Sequence, residues 1–289
     1  MNMKHRPEGH IWHYEKFSAC SGQFIRIDSI VHSEQSDFQK ITVFDNEDYG
    51  RVLLIDDMMM LTQRDEFVYH EMITHVPVNI SRKIRDVLII GGGDLGTVRE
   101  LSRFTGIERI KLIEIDGSVI EVSKKYFPFL TEGIREDAEI SIADGIKYIE
   151  DTEDVFDLII VDGTDPIGPG KVLFSEEFLS GCSKHLRPGG LTAIQGESPF
   201  AYPEASLSIY SNLQSAFKYI RPYLAYIPSY PSGMWQFFIA SDTRFKYLID
   251  SVLPESRDGC RYYNKDVHNG AFALPEFVRK MYSGNQMNH

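Results

Sequence analysis

The chain has 289 residues, 43% of them hydrophobic, and its 42 acidic against 30 basic side chains give a formal net charge of −12. That length and apolar content suffice for one large α/β domain, or a core domain beside a smaller one, and exclude wholesale disorder. The acidity argues against nucleic acid as the main partner, because neutralising phosphates needs a basic surface, whereas it suits cationic small molecules.

Residues 21–62 hold strand-like runs, FIRIDSIV, KITVF and RVLLID, separated by polar stretches such as SEQSD and DNEDYG, a pattern that predicts hairpins. RDEFVYHEMITHVPV then reads as a helix up to about Thr74, with Pro77 marking its end. From residue 85 the rhythm is strand, helix, strand, helix: VLII before TVRELSRF, RIKLIEID before SVIEVSKKYF, EISIAD before GIKYIED, FDLIIVDG before SEEFLSGCSKHL, and RPGGLTAIQGE before SLSIYSNLQSAF. LAYIPSY and MWQFFIAS, split by Pro231-Ser232-Gly233, suit an antiparallel pair closing the sheet. Alternation of this kind predicts an α/β, Rossmann-like doubly wound sheet covered on both faces. The expected domains are residues 1–80, a β-hairpin domain with a linking helix, and residues 81–289, the Rossmann-like catalytic domain. No apolar run reaches 18 residues and the first residues lack the apolar core of a signal peptide, so neither a membrane span nor a leader is expected. Cys20, Cys182 and Cys260 are scattered and odd in number, expected as free thiols in a reducing cytoplasm rather than as disulfides or a zinc site.

The informative stretch is LIIGGGDLGTVRE at 88–100. Glycines clustered after an apolar strand make the tight turn of a nucleotide site, with Gly91 opening it. Asp94 inside that turn would repel a pyrophosphate, but pairs with an ammonium or sulfonium, which favours an S-adenosyl compound over a dinucleotide. Other strand ends carry acids too: Glu114 or Asp116 in IEID, suited to ribose hydroxyls, then Asp144, then Asp162. Asp94 as a mere helix cap leaves those acids unexplained. In VDGTDPIGP, Asp162 and Asp165 can present two carboxylates to one ligand on a stiffened loop. Trp12, Tyr69 and Tyr230 are candidate walls for an aliphatic amine. HEMITH spaces His70 and His75 five apart, which does not stack them on one helix face, so no metal is expected there.

GGGDLGTVRE, IEID, ADG, VDGTDPIGP, QGES, YPSG, RDEFVYHEM and the late YYNKDVHNGAFALPEFV together resemble the polyamine aminopropyltransferases, the spermidine synthases above all. The resemblance covers nearly the whole chain. It implies a small N-terminal β domain on an S-adenosylmethionine methyltransferase-type domain, assembled as a homodimer or homotetramer in the cytoplasm. It implies transfer of the aminopropyl group of decarboxylated S-adenosylmethionine to putrescine, giving spermidine and methylthioadenosine, with no metal or other cofactor. By the same resemblance Gln39, His70 and the glycine turn with Gly91 touch the donor, Asp94 holds its aminopropyl ammonium, Glu114 its ribose, and Asp144 with Gly145 its adenine. Asp162 corresponds to the proton acceptor, while Tyr69, Asp165 and Tyr230 contact the acceptor amine, and Gln195 and Glu197 its far end. Two positions depart from the family pattern: Leu95 stands where glycine is common, and Gly163 where serine, threonine or cysteine is. Leu95 is expected either to narrow the donor pocket or to face the core. The glycines and prolines of 164–175 suit a gate that orders when both substrates bind. The rival readings are a methyltransferase on the same fold and a non-catalytic polyamine-binding protein; the paired acids oppose the first, and retention of Asp162 and Tyr69 the second.

Overall fold

The structure, a computed structural model, describes residues 9–164 and 168–283. The chain divides into two compact units between Glu66 and Phe67. The boundary thus falls at the first residue of the linking helix, not after residue 80. The physical reason is apolar: Val68, Met72, Ile73 and Val76 are buried in one cluster with Val87 and Ile89 of the Rossmann-like unit.

In the first unit β1 (Ile11–Lys16) and β2 (Gly22–Ile27) form an antiparallel pair. A four-stranded antiparallel sheet follows in chain order, β3 (Ser29–Gln35), β4 (Lys40–Asn46), β5 (Gly50–Ile55) and β6 (Met58–Thr62). The last hairpin turns on Asp56 and Asp57, both at positive φ, the conformation that a two-residue turn between twisted strands requires. Ile25, Phe44, Val52, Leu54 and Met59 make its small core. The hairpins were legible; β1, IWHYEK, was not.

The second unit begins with α1 (Glu66–Ile80). It continues through β7 (Asp86–Gly91), α2 (Gly96–Ser102), β8 (Arg109–Glu114), α3 (Gly117–Tyr126), β9 (Glu139–Ile142), α4 (Gly145–Asp151) and β10 (Phe156–Asp162). After a 3-10 turn at Gly168–Phe174 come α5 (Glu176–Lys184), β11 (Leu186–Gln195), α6 (Pro203–Ala216), β12 (Tyr219–Tyr226) and β13 (Met234–Ser241). Two short helices end it, α7 (Lys265–Ala271) and α8 (Glu276–Ser283). The sheet runs β12-β13-β11-β10-β7-β8-β9. β9, β8, β7, β10 and β11 are parallel, and β13 and β12 pair antiparallel as the sequence suggested. Along β7 the side chains alternate between the two faces: Val87 and Ile89 enter one core cluster, Leu88 and Ile90 the other. Strand order reverses between β7 and β10, and a crevice at the carboxyl ends of such a pair is where open α/β sheets bind ligands. No helix among the described residues is long and apolar enough to cross a membrane.

Pro77 does not end α1; the helix runs through it to Ile80. Packing overrides the missing N–H, since Val76 and Val78 are buried on either side of it. Downstream, the Asn79 side chain donates to the His75 carbonyl at 2.9 Å, and the Ser81 N–H to the Pro77 carbonyl at 3.1 Å.

The polar side chains of α1 clamp the late part of the chain. Glu71 accepts the backbone N–H groups of Arg261, Tyr262 and Tyr263 at 2.7–2.9 Å. His75 bonds Ser256 Oγ at 2.9 Å and Glu100 at 2.8 Å, and Asn79 accepts the Leu253 N–H at 2.7 Å. His75, Glu100 and Cys260 lie close enough together to suggest a metal site. Arg99 and Arg103, however, already pair with Glu100, and with His75 they hold its carboxyl at about 2 in spite of burial.

Candidate active site

The crevice is built on one close approach. Gly91 leaves β7 at φ +83°, and a Cβ there would run into the Asp162 carbonyl; that carbonyl instead accepts the Gly92 N–H at 2.8 Å. A residue with a side chain at 91 would force β7 and β10 apart. The turn thus brings the ends of both strands, and their acids, to one place.

Asp162 is bracketed. Tyr69, from the first turns of α1, donates its phenol to Oδ1 at 2.6 Å, and Thr97, from the first turn of α2, donates its hydroxyl to Oδ2 at 2.6 Å. Burial and the repulsion of Asp94 push the Asp162 carboxyl above the ordinary range, against the pull of His70 and of these two donors. The Tyr69 phenol is held far above its usual value by burial and by Asp162, so it stays a donor.

Asp94 is treated in the opposite way. Burial pushes it up, but His70, the Gly96 N–H and Arg99 outweigh that and hold it ionised. His70 Nε2 lies 3.2 Å from the carboxylate, and the Gly96 N–H donates at 2.7 Å. The glycine at 96 is obligatory, because a Cβ would overlap the His70 ring. Asp94 therefore does bond the first backbone N–H of the next helix, as a cap would, while also facing Asp162.

Glu114, at the end of β8, accepts the N–H groups of Gly93 at 3.1 Å and Asp116 at 2.9 Å, which places its carboxylate against the glycine turn. Asp116 caps α3 by accepting from Ser118. Burial, reinforced by Asp116, pushes the Glu114 carboxyl up to about 7. Asp144 caps α4, accepting from Ile146 and Lys147, and a Cβ on Gly145 would press on Ile90 of β7.

Tyr230 stands in the turn between β12 and β13, its ring 6.0 Å from that of Tyr69 and edge-on to Trp235 at 4.7 Å. Gln195 and Glu197 are both buried at the end of β11, where Gln195 accepts the Glu197 N–H at 3.0 Å and keeps a buried side-chain N–H without a partner among the described residues. Glu197 and Ser232 both hold positive φ, and Ser232 bonds Ser198 Oγ at 2.9 Å, tying the end of β11 to the Tyr230 turn.

Trp12 and Gln39 belong to the first unit. Trp12 meets Phe24 edge-on at 5.4 Å across the β1–β2 hairpin, and its indole N–H has no partner among the described residues. Gln39 sits in the link between β3 and β4, its carbonyl accepting from Ser36 at 3.0 Å. Asp165, with the start of the expected gate, lies outside the described residues. Among the departures, Leu95 faces the core: it is fully buried, at φ +73°, in the cluster that holds Met72, Ile73 and Val98. A Cβ at Gly163 would come 2.9 Å from Leu173, so the space of a larger residue is taken by that leucine. Thr97 was missed by sequence reasoning; the available signal was a hydroxyl one helical turn past Asp94.

Two domain profiles match the chain. The Spermidine synthase tetramerisation domain matches residues 11–63, and the Spermine/spermidine synthase domain matches residues 66–249. A polyamine aminopropyltransferase of Clostridium beijerinckii is 40% identical over 280 residues, spanning 95% of this chain and 98% of its own. One from Clostridium botulinum (strain Eklund 17B / Type B) is 41% identical over 285 residues, spanning 96% and 99%. Among solved structures, a spermidine synthase in complex with the transition-state analogue AdoDATO superposes with a TM-score of 0.90 at 38% identity, covering 96% of this chain and 97% of that one. The Thermotoga maritima spermidine synthase gives 0.87 at 37% identity, covering 96% of each. With residues 11–63 and 66–249 matched by the two profiles and relatives about 40% identical over nearly the whole chain, the protein belongs to the spermine/spermidine synthase family of aminopropyltransferases.

Proposed function

We propose that this enzyme moves the aminopropyl group of decarboxylated S-adenosylmethionine to putrescine, releasing spermidine and methylthioadenosine. The observation that carries the reading is the pair of half-buried acids in one crevice, Asp94 held ionised and Asp162 held between neutral donors with its carboxyl pushed up. The decarboxylated donor bears an ammonium where Asp94 stands, and a donor that keeps its carboxylate meets repulsion there. Glu114 takes the ribose hydroxyls, and Asp144 with Gly145 borders the adenine. Gln39, His70 and Gly91 complete the donor side.

The acceptor amine, with a pKa of about 10 by analogy with lysine, is mostly protonated and non-nucleophilic at neutral pH. In the proposed step the free-base nitrogen attacks the carbon beside sulfur, the carbon–sulfur bond breaks, and the electron pair returns to sulfur, leaving neutral methylthioadenosine. Asp162 takes the proton that the nitrogen loses, while Tyr69 and Tyr230 flank the amine. Gln195 and Glu197 hold the far ammonium, with Asp165 and Trp12 as further contacts. The sulfonium is already an activated leaving group, so the chemistry needs no metal and no tightly held cofactor.

The assembly proposed is a homodimer or homotetramer in the cytoplasm. Tyr14 and Phe24 of the β1–β2 hairpin are 60% and 66% exposed on one face with Trp12, an apolar surface within the segment that matches the tetramerisation domain.

The test is mass spectrometry of products from decarboxylated S-adenosylmethionine with an equimolar mixture of putrescine, cadaverine, agmatine and spermidine. Methylthioadenosine with spermidine as the dominant new polyamine is expected. Another dominant polyamine would reassign the acceptor, and S-adenosylhomocysteine from the carboxylated donor would favour methyl transfer.

A further inference from the structure

We propose that Thr97 is a positioning residue for Asp162, its hydroxyl pinning Oδ2 so that the carboxylate turns one defined lone pair toward the incoming amine; this rests on the aminopropyl-transfer reading. A carboxylate side chain on its own rotates broadly about its last torsion, which has no strong staggered wells. Tyr69 alone, holding Oδ1 from α1, would leave that rotation open. A second donor on a different element closes it: Thr97 comes from α2, is fully buried, and reaches Oδ2 at 2.6 Å. Threonine is branched at Cβ and therefore stiff at its first torsion, which makes it a firmer peg than serine. Behind Oδ2 stands the backbone of the glycine turn, close enough that a Cβ on Gly92 would lie 3.0 Å away. Oδ2 is thus walled on one side and bonded on another, and the remaining lone pairs are the ones the crevice can use.

The same hydroxyl decides how readily Asp162 is ionised. The groups facing the carboxylate among the described residues are Asp94 from the glycine turn, Tyr69 and His70 from α1, and Thr97 from α2; Tyr230 acts through Tyr69, and Arg99 and the Gly96 N–H through Asp94. Burial and Asp94 favour the neutral acid, whereas His70, Thr97 and Tyr69 favour the anion. Loss of the Thr97 donor removes support from the anion, so the base is protonated up to a higher pH.

The variants are Thr97→Val, near-isosteric without a donor, and Thr97→Ser, which keeps the hydroxyl. Thr97→Val should lower kcat roughly ten-fold and move the acidic limb of the pH–rate profile up by about one unit, the worth of one hydrogen bond to a charged group. Donor and diamine KM should stay within about two-fold, because the hydroxyl meets the base and not the substrates. Thr97→Ser should restore most of both losses. An unmoved limb with unchanged kcat in Thr97→Val, or a serine variant as impaired as the valine one, overturns the proposal, the latter by assigning the role to packing of the methyl group. Thr97→Ala removes the hydroxyl without adding bulk and gives the same readout should the valine variant not fold. Carboxyl carbon NMR of aspartate-labelled protein, with Asp162 assigned through Asp162→Asn, separates this inference from the functional reading. Wild type that yields no methylthioadenosine sinks the reading alone, and an Asp162 titration that stays put in Thr97→Val and Thr97→Ala sinks the Thr97 proposal whatever the protein turns over.

Discussion

Asp94 and Asp162 are the same side chain, both half-buried at the carboxyl ends of neighbouring strands, and their surroundings drive them apart. Asp94 has His70, a backbone N–H and Arg99 about it, and is held ionised. Asp162 is bonded by two neutral hydroxyls and faces the charge of Asp94, so it is driven toward the neutral acid. A carboxylate kept ionised suits a ligand with a permanent positive charge. A carboxylate whose hold on a proton is strengthened suits a proton that comes and goes. The difference lies in the partners each helix start supplies: Gly96 and Arg99 share the glycine motif with Asp94, whereas Tyr69 and Thr97 lie 93 and 65 positions from Asp162 in sequence.

The widest gap between the two should appear on neutralising each. Asp162→Asn should cut turnover by about 10²–10⁴-fold, the usual worth of a general base, with donor affinity by calorimetry unchanged within a few-fold. Turnover near normal would hand the base's role to another residue. Asp94→Asn should instead weaken binding of the decarboxylated donor by roughly 10–100-fold, as expected for a charge-assisted contact, and narrow its preference over the carboxylated donor. It should also shift the acidic limb of the pH–rate profile downward, since the charge that raises Asp162 is gone; an unmoved limb would mean the two acids do not sense each other. The smallest effect on chemistry, and the sharpest test of the turn between them, is Leu95→Gly. Truncating a buried leucine costs about 2–5 kcal/mol, while relief of its left-handed backbone returns about 1–2 kcal/mol. Urea unfolding should therefore show a net loss of up to about 4 kcal/mol with turnover within about two-fold. A more stable glycine variant would show that strain outweighs burial at this turn.

The alternation of strand and helix from residue 85 was legible because buried parallel strands and amphipathic helices carry different periods, and β7, β8, β10 and β11 all fall where their apolar runs do. The acids at strand ends were legible because each follows such a run directly. Pro77 misled, since a local breaker signal was overridden by the burial of Val76 and Val78 beside it. The same packing moved the domain boundary to Glu66–Phe67, because α1 buries its apolar face in one cluster with β7. Thr97 was hidden because its partner lies 65 positions away in sequence, a distance at which pattern carries no information about contact. Leu95 left two outcomes open, and only its placement among Met72, Ile73 and Val98 separates them.

The grip of α1 on residues 253–263 has a consequence for the order of assembly during synthesis. The helix that carries Tyr69 and His70 also carries Glu71, whose buried carboxylate is satisfied by three N–H groups nearly two hundred residues downstream. A nascent chain stopped before residue 261 has every acid of the crevice already translated, yet Glu71 is left as an unpartnered charge that resists burial. The helix then has reason to stay off the sheet, and Tyr69 with it. Competence is thereby withheld until translation is nearly finished, so a stalled or truncated product holds the catalytic letters without the catalytic geometry.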